Sequence, residues 1–342
     1  MVQLDGSLGE GGGQVLRSAL ALSIVTGKDV SITNIRANRS QPGLRPQHLK
    51  AVQAACEISM GLCKGASLGS RFLEFRPQAV RPGRYRFDIG TAGSTSLVLQ
   101  TIFLPLSQAK VGSSITITGG THVPASPSFH YLDYHWLPFY RRLGFEGTLR
   151  METAGFFPEG GGKIVATVRP VGDIAPVELI QRGELKQIRG LSAAANLDRR
   201  IAERQRSQIL RRLGDRYPIN DLRVTQLPAQ NKGTMLLLLA EFEHSQACYF
   251  ALGELGKPAE RVADEAVNSL VAFLESDGAI DQFLADQILL PLAFAKGKST
   301  LRTSRITNHL ISNAATIKEF IPVKIEIDGE IGSPGMLTID PA

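Results

Sequence analysis

The sequence predicts an α/β (α+β) fold made of three repeated units, each a β-sheet with two helices, and a smaller α/β domain inserted among them. Two observations carry this reading. A pattern of apolar helix, short Gly or Lys turn, β-branched strand and polar loop is written three times, at Gly11–Gly43, Ala92–Pro124 and Asp286–Asn313. The copies are unevenly spaced. Their strand cores begin at Ser31, Ser114 and Ser299, offsets of 83 and 185 residues, and Leu104–Leu106 (Leu-Pro-Leu) recurs at Leu290–Leu292. The excess of 102 residues marks an insertion between copies two and three. The expected division is a body of residues 1–178 and 278–342, with a small α/β domain at 179–277.

Each element follows from its residues. In copy one the apolar stretch after the glycines reads as a helix, the β-branched strand core is Ser31–Thr33, and Pro42–Gly61 is a helix entered through prolines. In copy two the same roles fall to the stretch after Ala92, to the strand core Ser114–Thr116, and to a second helix within Ser126–Phe145. Pro158–Lys163 (PEGGGK) is a glycine turn leading into a strand. Asp198–Gly214 is a basic helix, either a solvated face or an extension of a nucleic-acid surface. Thr234–Glu243 is a continuous apolar run, as expected of a strand buried on both faces. A long amphipathic helix comes next, with Pro258 near its start. Copy three closes with a helix over Asn308–Ile321. Three such units about a pseudo-threefold axis bring their post-strand loops together.

Composition bounds the function. The 342 residues are 43% hydrophobic with mean hydropathy −0.01, an ordinary globular balance. The first ten residues hold two acids and no base, which argues against a secretory signal. No apolar run approaches the roughly 18 residues that span a membrane. The three cysteines form no CxxC, which disfavours a zinc site or a disulfide scaffold. Cys56 and Cys63 read as core, and a reducing cytoplasm is the expected location. The net charge of +6 permits an anionic partner such as nucleic acid, and a solvated basic surface accounts for it equally well.

Three motifs suggest chemistry. Gly9–Ser18 (GEGGGQVLRS) sets four glycines and Glu10 before a helix carrying Arg17. Backbone N–H groups at a helix start bind anions, and a carboxylate there can hold a Mg²⁺ that bridges phosphates. A tight strand-to-helix turn explains the same residues. The spacing fits neither a Walker A loop nor a dinucleotide fingerprint. The loop Ile35–His48 gathers Arg36, Arg39, Arg45, Gln47 and His48, and arginine forks suit phosphate. His309 begins the last helix after a loop with Arg302 and Arg305. A helix start disfavours positive charge, which leaves a neutral imidazole able to attack phosphorus. Those arginines would stabilise the transferring group. His122, His130, His135 and His244 read as structural. No HExxH or KxDG-like lysine motif is present.

Together, LDGSLGEGGGQVLRSALALS, RANRSQPGLRPQHLKAV, IGTAGSTSLVLQT, GFFPEGGGK, FLADQILLPLAFA and the loop-to-helix stretch holding His309 resemble the RNA 3′-terminal phosphate cyclase family, in order and over nearly the whole chain. The resemblance implies three units like the C-terminal domain of a bacterial translation initiation factor, with a small α/β insert. It implies ATP and a divalent metal (Mg²⁺ or Mn²⁺) as cofactors, and an RNA with a 3′-phosphate end as partner, with no membrane partner. It implies that ATP adenylates the histidine with release of pyrophosphate. AMP then passes to the RNA 3′-phosphate, and the 2′-hydroxyl displaces it to form a 2′,3′-cyclic phosphate.

By position, His309 matches the adenylated nucleophile and Glu10 the metal carboxylate. Gln100, Phe283, Leu284, Ala285, Asp286 and Gln287 match the ATP pocket. Arg17, Arg36, Arg39, Gln47 and His48 match the phosphate and RNA-end side. Two positions depart from the family. Ala154 stands where Arg or His is usual. Phe283 stands where tyrosine is common, which keeps adenine stacking and removes a hydroxyl contact. The alternatives are a non-catalytic cyclase-like RNA-binding or ribosome-assembly factor, disfavoured by His309 with Glu10, and an enolpyruvyl transferase, disfavoured by the count of three units.

Overall fold

The computed structural model describes residues 1–341. Unit one runs β1 (Val2–Asp5), α1 (Gln14–Thr26), β2 (Val30–Thr33), α2 (Pro46–Ser59), β3 (Leu62–Lys64) and β4 (Leu73–Arg76). Unit two runs β5 (Arg84–Asp88), α3 (Thr95–Ser107) and β6 (Ser113–Gly119). Then come α4 (Phe129–Tyr131), a π-helical turn (Leu132–Trp136), α5 (Leu137–Arg142), β7 (Gly147–Thr153) and β8 (Gly162–Val168). Unit three starts at β9 (Glu178–Leu179). The chain then leaves it for β10 (Leu185–Ala195), α6 (Arg200–Leu213), β11 (Ile219–Gln226), β12 (Gly233–Phe242), β13 (Gln246–Leu252) and α7 (Ala259–Glu275). It returns with α8 (Gln282–Leu292), β14 (Ser299–Thr303), α9 (Asn308–Phe320), β15 (Val323–Asp328) and β16 (Gly335–Pro341).

The three unit sheets share one strand order: β1-β2-β4-β3, β5-β6-β8-β7 and β9-β14-β16-β15. In each, the first two strands are parallel, and the other pairings are antiparallel. The α/β class expected from the repeats is the class observed. Strand β6 alternates strictly between buried and half-buried residues, so one face meets helices and the other stays open. Helices α1, α3 and α8 are buried along most of their length, as their apolar sequences require. Pro46 opens α2 at a position whose amide needs no partner.

The fourth sheet, β11-β10-β12-β13, explains the unbroken apolar run. Leu236, Leu238, Ala240 and Phe242 of β12 pack with Ile209 of α6 and Val262, Ala266 and Leu270 of α7. Met235, Leu237 and Leu239, pointing the other way, join the main core. A strand buried on both faces has no polar alternation to show. The basic helix α6 is neither simply solvated nor free: Arg204 donates to both oxygens of Glu260 at 2.8 and 2.7 Å, and Arg212 to Asp264 at 2.6 Å.

One expectation fails. Cys63 is exposed, because the chain leaves α2 for the edge strand β3, whose three residues all face solvent; Cys56 is half-buried. Among the described residues no helix is long and apolar enough to cross a membrane.

Candidate active site

The first helices of the three units meet through polar side chains. On α1, Gln14, Arg17 and Ser18 fall on one face at i, i+3 and i+4. Helix α8 presents Asp286 and Gln287, and α3 presents Gln100, whose Nε2 donates to Gln287 Oε1 at 3.0 Å. His309 is the second residue of α9, whose start is capped by Thr307 Oγ1 accepting from Leu310 N at 3.1 Å.

A hydrogen-bond chain fixes the imidazole. His309 Nδ1 donates to Gln14 Oε1 at 2.5 Å, since an amide oxygen only accepts. Gln14 Nε2 donates to Asp286 Oδ1. Asn313 Nδ2 donates to Asp286 O at 3.0 Å and Oδ1 at 3.1 Å, and Ser18 Oγ donates to Asn313 Oδ1 at 2.7 Å. The proton on Nδ1 makes Nε2 the nitrogen that faces outward. It lies 3.2 Å from Glu10 Oε2, an oxygen that accepts from Arg39 Nη2 at 3.0 Å. The His309 side chain is 41% exposed, so a substrate can reach it.

Burial pushes the Asp286 carboxyl up, against the opposing pull of His309, the Gln14 and Asn313 hydrogen bonds and Arg17. Burial pushes Arg17 down to about 10, with Asp286 working against the shift. His48 is pushed down to about 3, by burial first and then by Arg17, Arg36 and Arg45, so this ring is neutral. Its Nδ1 accepts from Arg45 N at 3.3 Å. Its Nε2 lies so near the start of α1 that a Cβ on Gly13 would stand 2.3 Å from it and 2.8 Å from Arg17 Nη1. Only glycine fits there.

The other expected residues divide. Arg39 and Glu10 stand beside His309. Gln47 Oε1 accepts from Ser94 N at 2.9 Å and ties unit one to the turn before α3. Arg36 donates to Gln41 O at 2.6 Å and Gly43 O at 3.0 Å, bracing its own loop. Arg302 pairs with Asp277, so it does not serve His309 as the sequence suggested. Phe283 is 50% exposed, edge-on to Tyr249 with ring centres 6.3 Å apart. Leu284 and Ala285 are fully buried and anchor α8. Ala154 is buried too, its N–H donating to Pro228 O at 2.7 Å.

Sequence reasoning missed Gln14, Ser18, Asn313 and Asp281. Gln14 lies one helical turn before Arg17 and Ser18, and Asn313 is one turn after His309; polar residues at such spacing in buried helices were the available signal. Asp281 Oδ1 caps α8 by accepting from Phe283 N at 3.0 Å and Leu284 N at 2.9 Å, and its Oδ2 meets His135 Nε2 at 2.5 Å with both side chains fully buried. His122 and His130 form a buried pair, Nε2 to Nδ1 at 2.8 Å. These three histidines are structural, as the sequence suggested.

Among the described residues no three His, Cys, Asp or Glu side chains gather as a metal cage. Glu10 is a lone, 39% exposed carboxylate. That donor suits a hard divalent ion held by one carboxylate with phosphates and water, the Mg²⁺ mode. The arrangement as a whole is a half-exposed imidazole with a fixed tautomer, an arginine and one hard oxygen donor at an open face.

A family model described as RNA 3′-terminal phosphate cyclase matches residues 8–327. Proteins with that same name from Ralstonia nicotianae, Thermococcus onnurineus and Pseudomonas fluorescens are similar. The first is 42% identical, covering 96% of this chain and 94% of its own. The second is 41% identical, covering 99% of each. The third is 44% identical, covering 95% and 94%. The solved structure of the enolpyruvyl transferase NikO from Streptomyces tendae aligns with all of this chain and 66% of that one at 9% identity. Its TM-score of 0.26 is too slight a likeness to carry an argument. Matched along nearly its whole length by the family model and by these relatives, the chain belongs to the RNA 3′-terminal phosphate cyclase family, whose members are enzymes of the ligase class.

Proposed function

We propose that the protein converts an RNA 3′-phosphate to a 2′,3′-cyclic phosphate at the expense of ATP, through a covalent adenylate on His309. The carrying observation is the chain from Asp286 through Gln14 to His309 Nδ1, which leaves Nε2 as the attacking atom. In the first step Nε2 bonds to the α-phosphorus of ATP and the bond to the bridging oxygen breaks, releasing pyrophosphate. The imidazole becomes cationic as it attacks, and Gln14 and Asp286 stabilise that charge. An oxygen of the RNA 3′-phosphate then takes AMP from the histidine. The 2′-hydroxyl finally bonds to the 3′-phosphorus, loses its proton, and displaces AMP. A step through the 2′-oxygen makes the enzyme choose RNA over DNA ends.

Glu10 holds the divalent metal, which when bound supplies charge neutralisation to the phosphates. Arg39, and Arg17 from behind, add positive charge at the same face. Gln100, Gln287, Asp286 and Phe283 form the nucleoside side. The segment 179–277 is proposed as an inserted domain seated on the body that carries this site, and the cytoplasm as the place of action.

The test is incubation with α-labelled ATP and a divalent metal. Acid-labile covalent label is expected, and none in His309→Ala. An unlabelled wild-type protein would sink the proposal. The end of a 3′-phosphorylated RNA should become phosphatase-resistant only with ATP, and a 2′-deoxy end should not react.

A further inference from the structure

Two adjacent phenylalanines in the β7–β8 loop have opposite fates. Phe156 is 4% exposed and stacks on His122, ring centres 5.1 Å apart. Phe157 is 66% exposed. Exposed apolar residues are common and single ones need no explanation. Phe157 differs in how it is held. Buried Asn231, between β11 and β12, donates Nδ2 to Phe156 O at 3.0 Å and Gly160 O at 3.2 Å, and its Oδ1 accepts from Phe156 N at 3.4 Å. Gly160 N donates to Phe156 O at 2.7 Å, and Gly155 N to Thr121 Oγ1 at 2.9 Å. Bonds before and after the ring therefore fix its pedestal, which is buried on both sides of it. A floppy loop tip has no such construction. The backbone on either side of the ring is thus fixed, which lowers the entropy lost when something stacks on it.

The place is informative as well. A Cβ on Gly160 would lie 2.9 Å from Ala92 Cα, so the loop leans directly on the Thr91–Ala92 turn. Two residues on, Ser94 N bonds Gln47 Oε1, and His48 next to Gln47 abuts the start of α1. The loop carrying Phe157 is thus tied through this turn and Gln47 to the unit-one side of the site. Exposed Lys232 adjoins Asn231, and exposed Glu159 is the one acid within the loop tip.

We propose that Phe157 is a stacking platform for a base near the 3′ end of the RNA, with Lys232 meeting its backbone. This rests on the proposed action on RNA ends. Every base has a π face, so the contact is tolerant of sequence and suits an enzyme acting on RNA ends of differing sequence.

The probe is a short 3′-phosphorylated RNA with 2-aminopurine placed in turn at the last four positions. Stacking on Phe157 should quench one position in wild-type protein. Phe157→Ala and Phe157→Leu should lose that quench, and Phe157→Trp should keep it. In cyclisation, the Ala and Leu variants should raise the KM for RNA about tenfold or more, with kcat and thermal unfolding near wild type. Phe157→Trp should restore KM. No position-specific quench in wild type, or an RNA KM within twofold of wild type in Phe157→Leu, overturns the platform. ATP labelling of His309 separates the two readings: label without quench removes only the platform. Absence of label removes the proposed function, while the binding assay still judges Phe157.

Discussion

Replacing Gln14 tests the hydrogen-bond chain at its middle. Its side chain makes two bonds, to His309 Nδ1 and to Asp286 Oδ1, and is only 8% exposed. A hydrogen bond to a group that becomes charged contributes about 1.5–3 kcal/mol. In the proposed mechanism the imidazole gains its charge as Nε2 bonds to phosphorus, so this stabilisation is realised in the transition state. Gln14→Met keeps the volume and removes both bonds. It should slow His309 labelling in a single turnover by about 10- to 150-fold, with a much smaller change in ATP concentration dependence, because Gln14 is shielded from the open face. Gln14→Glu should be at least as slow. It sets a second acid against Asp286, whose carboxyl burial already pushes up. Labelling of Gln14→Met within about threefold of wild type would refute the idea that this chain orients the nucleophile.

Two further outcomes concern the frame. Asp281→Ala should destabilise the fold by about 3–5 kcal/mol, because it uncaps α8 and strands His135 in the core; denaturant unfolding checks this, and a loss under about 1 kcal/mol would contradict it. Burial holds His48 at about 3 and His130 at about 4, and depresses His122 as well, from an ordinary value near 6.5. Between these values the unfolded chain binds protons that the folded chain refuses. Their contribution is therefore full above about pH 6.5 and is lost as pH falls, by about 1.4 kcal/mol per pH unit for each histidine. His48→Gln should flatten the stability profile between pH 4 and 6 by one such increment, read from urea unfolding at a series of pH values; an unchanged slope would be a refutation.

The periodic parts of the molecule were readable from the sequence because burial imposes them. The strand cores at Ser31, Ser114 and Ser299 fall within β2, β6 and β14, each the second strand of a sheet with the same order. The run at Thr234–Glu243 announced a strand with two buried faces, and β12 has them. The site was readable only in part. Glu10, Arg39 and His309 are brought together, yet they lie up to 299 residues apart and no local pattern joins them. Arg302, close to His309 in sequence, turns to Asp277 instead. Proximity along the chain misled there because a strand sends alternate side chains to opposite faces. Gln14 escaped notice for a different reason. A neutral amide carries no charge or nucleophile to draw attention, and its role exists only once α1 and α9 are packed side by side.

Repetition also explains why one site forms rather than three. The units share a strand order, and the first helix of each contributes a polar residue to a common junction: Gln14 from α1, Gln100 from α3, Asp286 and Gln287 from α8. The units diverge after their second strands. Unit one sends in Arg39, unit three begins α9 with His309, and unit two turns His122 inward onto His130 and Phe156. The equivalent loop of unit two is therefore committed to packing, and its partner loop carries Phe157 outward. A symmetric scaffold thus yields an asymmetric face, with His309 and Glu10 between units one and three, and the exposed Phe157 on unit two. If that division is correct, His130, already the second residue of α4 as His309 is of α9, should carry no label in the wild-type protein. It is 6% exposed, and neither an acidic relay nor an open face accompanies it. Label on that histidine would show that helix position alone makes the nucleophile, and that the Asp286–Gln14 chain is dispensable.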